Sequence, residues 1–83
     1  MTAHVEPGQW VMVHGGSGGI GTFALQYLRA LGAKTIATCS TDEKCQWARR
    51  HGADYIINYQ EEDFVARVNE ITGGLGVHVI LDV

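Results

Sequence analysis

Four short apolar runs alternate with three longer stretches of helical period along the chain. Trp10-Val11-Met12-Val13-His14 is short, apolar and partly β-branched, with no in-out alternation, which suits a strand buried on both faces of a parallel sheet. Ile20, Phe23, Ala24, Tyr27, Leu28 and Leu31 then recur at helical spacing and predict one apolar stripe, with Gln26, Arg29 and Ala30 off it. Gly32 follows where a C-terminal helix glycine belongs. Lys34 to Cys39 predicts a second strand. Ser40 and Glu43 have capping-box spacing, so a second helix is expected from near Thr41 to about His51, closed by Gly52. Tyr55 to Tyr59 predicts a third strand. Glu61 to Ile71 predicts a third helix, with Phe64, Val65, Val68 and Ile71 on one face. Thr72-Gly73-Gly74-Leu75-Gly76 breaks it, and Val77 to Val83 predicts a fourth strand.

The order is β-α-β-α-β-α-β. Right-handed crossovers return each strand to the same sheet, so the expected class is α/β, a parallel sheet with helices over both faces. It would form part of a doubly wound domain spanning 1–83. In that order the fourth strand lies beside the first, and Val77 to Val83 would be an open apolar edge. The chain alone is therefore expected to be poorly stable or to self-associate.

The totals narrow the function. Nearly half the residues are hydrophobic and under a fifth are charged, which excludes a disordered segment. A net charge of −3 without a basic block speaks against nucleic-acid binding. No apolar run approaches the length of a membrane span, and the basic-then-apolar start of a secretory signal is missing. Cys39 and Cys45 are six apart, which is neither a metal-type C-x-x-C pair nor a disulfide scaffold. Both read as ordinary thiols in a reducing, cytoplasmic setting. His4, His14, His51 and His78 are too scattered for a zinc set and read as surface or packing histidines.

The chemistry concentrates in residues 14–22, HGGSGGIGT, where five of nine residues are glycine. Gly16-Ser17-Gly18-Gly19-Ile20-Gly21 is a G-x-G-x-x-G between a predicted strand and a predicted helix, the context that makes the pattern informative. Gly16 permits the tight turn, Gly18 lets a pyrophosphate approach the backbone, and Gly21 lets the helix pack against the strand. The free N–H groups of the helix N-terminus then face the phosphates. A P-loop is excluded, since Thr22 and Phe23 follow Gly21 where lysine is required. Gly15, Gly19 and Gly21 equally satisfy the short-chain dehydrogenase pattern G-x-x-x-G-x-G, so the glycines leave two dinucleotide readings open.

Cofactor choice is read at the second strand's end. An NAD site usually carries Asp or Glu there for the ribose hydroxyls, whereas this chain has Thr38, Cys39 and Ser40. No carboxylate there repels a 2′-phosphate, and Ser40 adds a hydroxyl donor. Asp42 and Glu43 read as helix N-terminal charge. Lys44, by position alone, is a solvated cation in the first turn of the second helix. Asp82 ends the last strand and carries little weight as a site residue.

Pro7-Gly8, the glycine run, Leu31-Gly32-Ala33-Lys34, Gly52-Ala53-Asp54, Ile57-Asn58-Tyr59 and Leu81-Asp82 together separate the dinucleotide readings. From about Val5 to Val83 the chain resembles the cofactor domain of the zinc-independent quinone oxidoreductases, in the medium-chain dehydrogenase/reductase superfamily. The resemblance implies an NADPH-dependent reductase that passes hydride to quinones or other α,β-unsaturated carbonyls, often as a homodimer. It implies 2′-phosphate contacts from Lys44 and Tyr59. It also implies a substrate domain before this segment and further strands after it, so the chain alone is expected to be inactive. No acid–base or nucleophilic set is present, and no catalytic residue is named. A non-catalytic dinucleotide-binding module is the other functional class in view.

Overall fold

The computed structural model describes residues 5–14 and 19–82. Its order is β1 (Trp10–His14), α1 (Gly19–Ala30), β2 (Lys34–Cys39), α2 (Asp42–Arg50), β3 (Tyr55–Asn58), α3 (Phe64–Thr72) and β4 (Val79–Asp82). The four strands form one sheet in the order β3-β2-β1-β4, every pair parallel. This is the first half of a doubly wound, Rossmann-type arrangement. The register sets His14 beside Thr38 and Asp82, and Cys39 beside Asn58.

The two faces of the sheet carry different cores. On one, Val11, Val13, Ala37 and Ile56 pack with Ala24, Leu25 and Leu28 of α1 and Ala48 of α2. Leu25 and Leu28 are fully buried, each contributing about 1.5–3 kcal/mol of transfer free energy. On the other, Trp10, Met12, Ile36 and Ile57 pack with the half-buried Phe64, Val68 and Ile71 of α3. Trp47 of α2 donates its Nε1 hydrogen to Thr22 Oγ1 of α1 at 2.9 Å, tying the two helices together.

Several boundaries shift from expectation for local reasons. In α1 the buried residues are Gly21, Ala24, Leu25 and Leu28, while Ile20, Phe23 and Tyr27 are exposed. Phe23 and Tyr27 stack on each other outside, with ring centroids 6.3 Å apart. The helix comes close to the sheet through its small residues, which turns the larger apolar stripe outward. The N-cap of α2 is Thr41 rather than Ser40, its hydroxyl accepting from the Lys44 N–H at 3.2 Å. Helix α3 starts at Phe64, capped by Asp63, and Val65 is exposed. Glu62 is left outside that helix because its carboxylate accepts from the Asn58 N–H at 2.7 Å and from Arg67 Nε at 2.7 Å. Tyr59 lies just past β3, and His78 precedes β4.

Gly32 ends α1 at φ 83°, a left-handed conformation that L side chains rarely adopt. Its N–H donates to the Arg29 carbonyl, and its own carbonyl accepts from Gly8 at 2.9 Å. A Cβ there would meet Pro7 at 3.4 Å, so the Pro7-Gly8 turn closes tightly over the helix end.

Candidate functional site

Chain connectivity fixes where a ligand can sit. From β1 the chain crosses by α1 to β2 on one side, and from β3 it crosses by α3 to β4 on the other. A crevice therefore opens at the carboxyl ends of β1 and β4, the switch point where open α/β sheets bind ligands. Helix α1 begins there at Gly19, with no acidic residue in its first turn. The start of a helix offers N–H groups without intrahelical partners and a positive dipole end, which suit an anion.

Of the nine cofactor residues expected from sequence, Gly16, Ser17 and Gly18 lie outside the described residues. Gly19, Ile20 and Gly21 form the opening of α1, and Gly21 is buried. Ile20 is 74% exposed, so its side chain takes no part in the core. A Cβ on Gly19 would meet nothing within 4 Å, so its backbone stays approachable.

The other three residues gather one strand further along the same edge. Ser40 follows β2 directly and is half-buried. Lys44 is exposed in the first turn of α2, its N–H fixed by Thr41. Tyr59 follows β3, and its N–H donates to the Cys39 carbonyl at 3.1 Å. One ammonium-bearing and two hydroxyl-bearing residues thus follow the ends of β2 and β3, and no carboxylate ends β2. Asp42 and Glu43 stand in the first turn of α2, and Asp42 accepts a 3.4 Å hydrogen bond from the Asn58 amide. Together with the acid-free opening of α1, this donor set fits the phosphates of a 2′-phosphorylated dinucleotide.

Two features escaped sequence reasoning. His14, expected to be a surface or packing residue, joins the carboxyl-end cluster. Its Nδ1 lies 2.6 Å from Thr38 Oγ1 and its ring 5.6 Å from the Tyr59 ring. No local signal marks it, because Thr38 becomes its neighbour only through the parallel register. The two cysteines are not ordinary thiols here: Cys39 and Cys45 are disulfide-bonded, with Cα atoms 5.5 Å apart. The available signal was that one ends a strand and the other sits in the first half of the next helix.

A cavity of about 430 Å³ opens at the opposite, amino ends of the strands, lined by Trp10, Lys34, Asp54 and Tyr55. No expected site residue lines it, and Lys34 rests over the Trp10 ring. Connectivity, not cavity size, decides between the two ends, since the free helix N-terminus lies only at the carboxyl end. Among the described residues no group of three or more His, Cys, Asp or Glu is placed to hold a metal, and no helix is long and apolar enough to cross a membrane.

Comparison with known proteins agrees with this geometry. The model of a family described as zinc-binding dehydrogenase matches residues 19–83. The chain is 46% identical over 81 residues to 2-haloacrylate reductase of a Burkholderia species, covering 98% of this chain and 24% of that protein. It is also 46% identical over 81 residues to quinone oxidoreductase 1 of Escherichia coli K12, covering 98% of this chain and 25% of the relative. The crystal structure of Escherichia coli quinone oxidoreductase complexed with NADPH superposes with a TM-score of 0.89 at 46% identity, over 95% of this chain and 24% of that one. The chain thus spans about a quarter of the length of the curated relatives it matches.

Proposed function

The chain belongs to the zinc-binding dehydrogenase family, and on that premise we propose that it is the NADPH-binding segment of an oxidoreductase that reduces quinones or other α,β-unsaturated carbonyls. The observation that carries this reading is the pairing of an acid-free α1 N-terminus at the switch point with Ser40, Lys44 and Tyr59 at the neighbouring strand ends. The quinone oxidoreductase and 2-haloacrylate reductase relatives support the same chemistry, as does the NADPH complex of the Escherichia coli protein.

In this proposal residues 1–83 form part of a larger cofactor domain. The backbone of Gly16 to Gly21, with Ser17 and Ile20 between the glycines, cradles the pyrophosphate against the start of α1. Lys44 supplies charge to the 2′-phosphate, and Ser40 and Tyr59 supply hydroxyl donors. His14, hydrogen-bonded to Thr38, sets its ring beside that of Tyr59. When bound, NADPH supplies the hydride; the chain's own task is to grip and orient the nucleotide. Substrate-facing groups are assigned to other parts of the protein, which is proposed to be a cytoplasmic homodimer acting on a small molecule. The residues here do not fit the zinc of the family's description, because the described chain offers no ligand cluster and both cysteines are bonded to each other. No step is routed through a metal.

The test is a fluorescence titration of the full chain with NADPH and NADH, before and after Lys44→Ala. Loss of one charge-assisted contact to phosphate is expected to weaken NADPH binding about ten-fold and leave NADH nearly unchanged. An equal loss for both cofactors would remove Lys44 from the site. Failure of the unaltered chain to bind either one would overturn the reading.

A further inference from the structure

The disulfide lies inside the region assigned to cofactor choice. Cys39 is the last residue of β2 and Cys45 lies in α2, and the five residues between them include Ser40 and Lys44. Tyr59, the third candidate phosphate contact, hangs from the Cys39 carbonyl by its N–H. We propose that Cys39 and Cys45 are a reversible redox modification site, oxidised by a hydroperoxide and reduced by a dithiol, whose state sets the affinity for a 2′-phosphorylated nucleotide. The proposal rests on the NADPH-binding reading above.

Three observations carry it. The Cα separation of 5.5 Å lies within the range that a disulfide spans without backbone movement. The reduced state also has a place in the fold. Cys39 Sγ lies 3.6 Å from the Ile57 carbonyl, an acceptor that only a protonated sulfur can use. The pair is also open to reagents on one side. Cys39 is 3% exposed, but Cys45 is half-buried and lines a cavity of about 280 Å³ with Asp42, Gln46 and Arg49. In the cytoplasmic setting proposed above, disulfides are generally transient, catalytic or redox-sensing.

The chemistry follows from this asymmetry. The Cys45 thiolate attacks the terminal oxygen of a hydroperoxide; the O–O bond breaks, a sulfenic acid forms and an alcohol leaves. Cys39 sulfur then displaces the sulfenic oxygen as water and the S–S bond forms. The two thiols together lose two electrons and two protons, and the hydroperoxide is reduced to alcohol plus water. A dithiol reverses the reaction by exchange and is itself oxidised to its disulfide. With the bond closed, the Ser40-Thr41 turn and the first turn of α2 are tied to the end of β2. With it open, that first turn frays more readily and must be held in place when the phosphate binds, which weakens binding.

Hydrogen peroxide, dithiothreitol, NADPH and NADH on the full chain make the test. Intact mass is expected to fall by two hydrogen atoms after peroxide and to recover after dithiothreitol. The oxidised chain should bind NADPH about five-fold more tightly than the reduced chain, with NADH changed less than about two-fold. Cys45→Ala should bind like the reduced chain and ignore peroxide. An unchanged mass, equal NADPH affinity in both states, parallel shifts for both nucleotides, or a peroxide response that survives Cys45→Ala would each overturn the proposal. No NADPH binding in either state would overturn the NADPH reading together with the gate. Binding that is unaffected by redox state would overturn the gate alone.

Discussion

Thr35 and Thr38 lie three residues apart on β2, and both are wholly buried, yet their hydroxyls face opposite kinds of surroundings. At the amino end, the Thr35 N–H donates to Asp54 Oδ2 at 2.9 Å and its hydroxyl accepts from the Asp54 N–H at 3.0 Å, so strand and turn close on each other. Trp10 and His78 form a similar ring nearby: the Trp10 N–H donates to His78 Nδ1 at 3.0 Å, and the His78 N–H to the Trp10 carbonyl at 2.8 Å. At the carboxyl end, Thr38 pairs with the exposed His14, and Ser40, Lys44 and Tyr59 follow with side chains open to solvent in whole or part. Helix α1 repeats the contrast. It presents the bulky Leu25 and Leu28 toward the amino end of the sheet and Gly21 and Ala24 toward the carboxyl end. One end spends its polar groups on the fold. The other leaves those of Ser40, Lys44 and Tyr59 open to solvent in whole or part.

The largest expected effect tests the closed end. Leu28→Ala removes a fully buried side chain from beneath the amino half of the sheet and should cost about 3 kcal/mol. Urea unfolding followed by far-UV circular dichroism checks it. A loss within a few tenths of a kcal/mol would mean that this half of the core is not tightly packed.

Asp54→Ala sharpens the comparison. It leaves the buried Thr35 N–H without its carboxylate partner, at an expected cost of about 2 kcal/mol. Because Asp54 lies at the far end of the sheet, the ratio of NADPH to NADH affinity should stay the same. Urea unfolding and the two nucleotide titrations read both quantities on one variant. A changed ratio would contradict the separation of the two ends.

This division explains what the sequence discloses. The first strand was legible because it is apolar on both faces, and strand order followed from the handedness of crossovers. The buried face of α1 was legible in part: Gly21, Ala24 and Leu28 are buried as expected, whereas Leu25 was missed and Ile20, Phe23 and Tyr27 face outward, because hydrophobicity and size diverge there. Phe23 and Tyr27 carry the stronger apolar signal, but only Gly21 and Ala24 are small enough for the helix to come close to the sheet. As candidates, the glycine run and Ser40 come from their offsets to a strand end, whereas Lys44 and Tyr59 come only from the family resemblance, since position alone makes Lys44 a solvated cation. His14–Thr38 and Asp42–Asn58 could not be named, since each pair joins residues far apart in the chain. The disulfide needed the distance across the β2–α2 turn, which spacing alone does not give.

The smallest effect tests the open end. Thr41 caps α2 through the hydrogen bond it accepts from the Lys44 N–H. Thr41→Ala should therefore cost about 1 kcal/mol of stability, about half that expected of Asp54→Ala. The same bond holds the turn from which the Lys44 ammonium reaches out. Its loss should weaken NADPH binding about two-fold, since an ordering cost is moved into the binding step, and NADH binding should hardly change. The stability loss is read from the urea midpoint and the affinity loss from paired nucleotide titrations. If stability falls as expected and both nucleotides bind as before, the cap serves only the helix, and Lys44 is oriented by something other than its own turn.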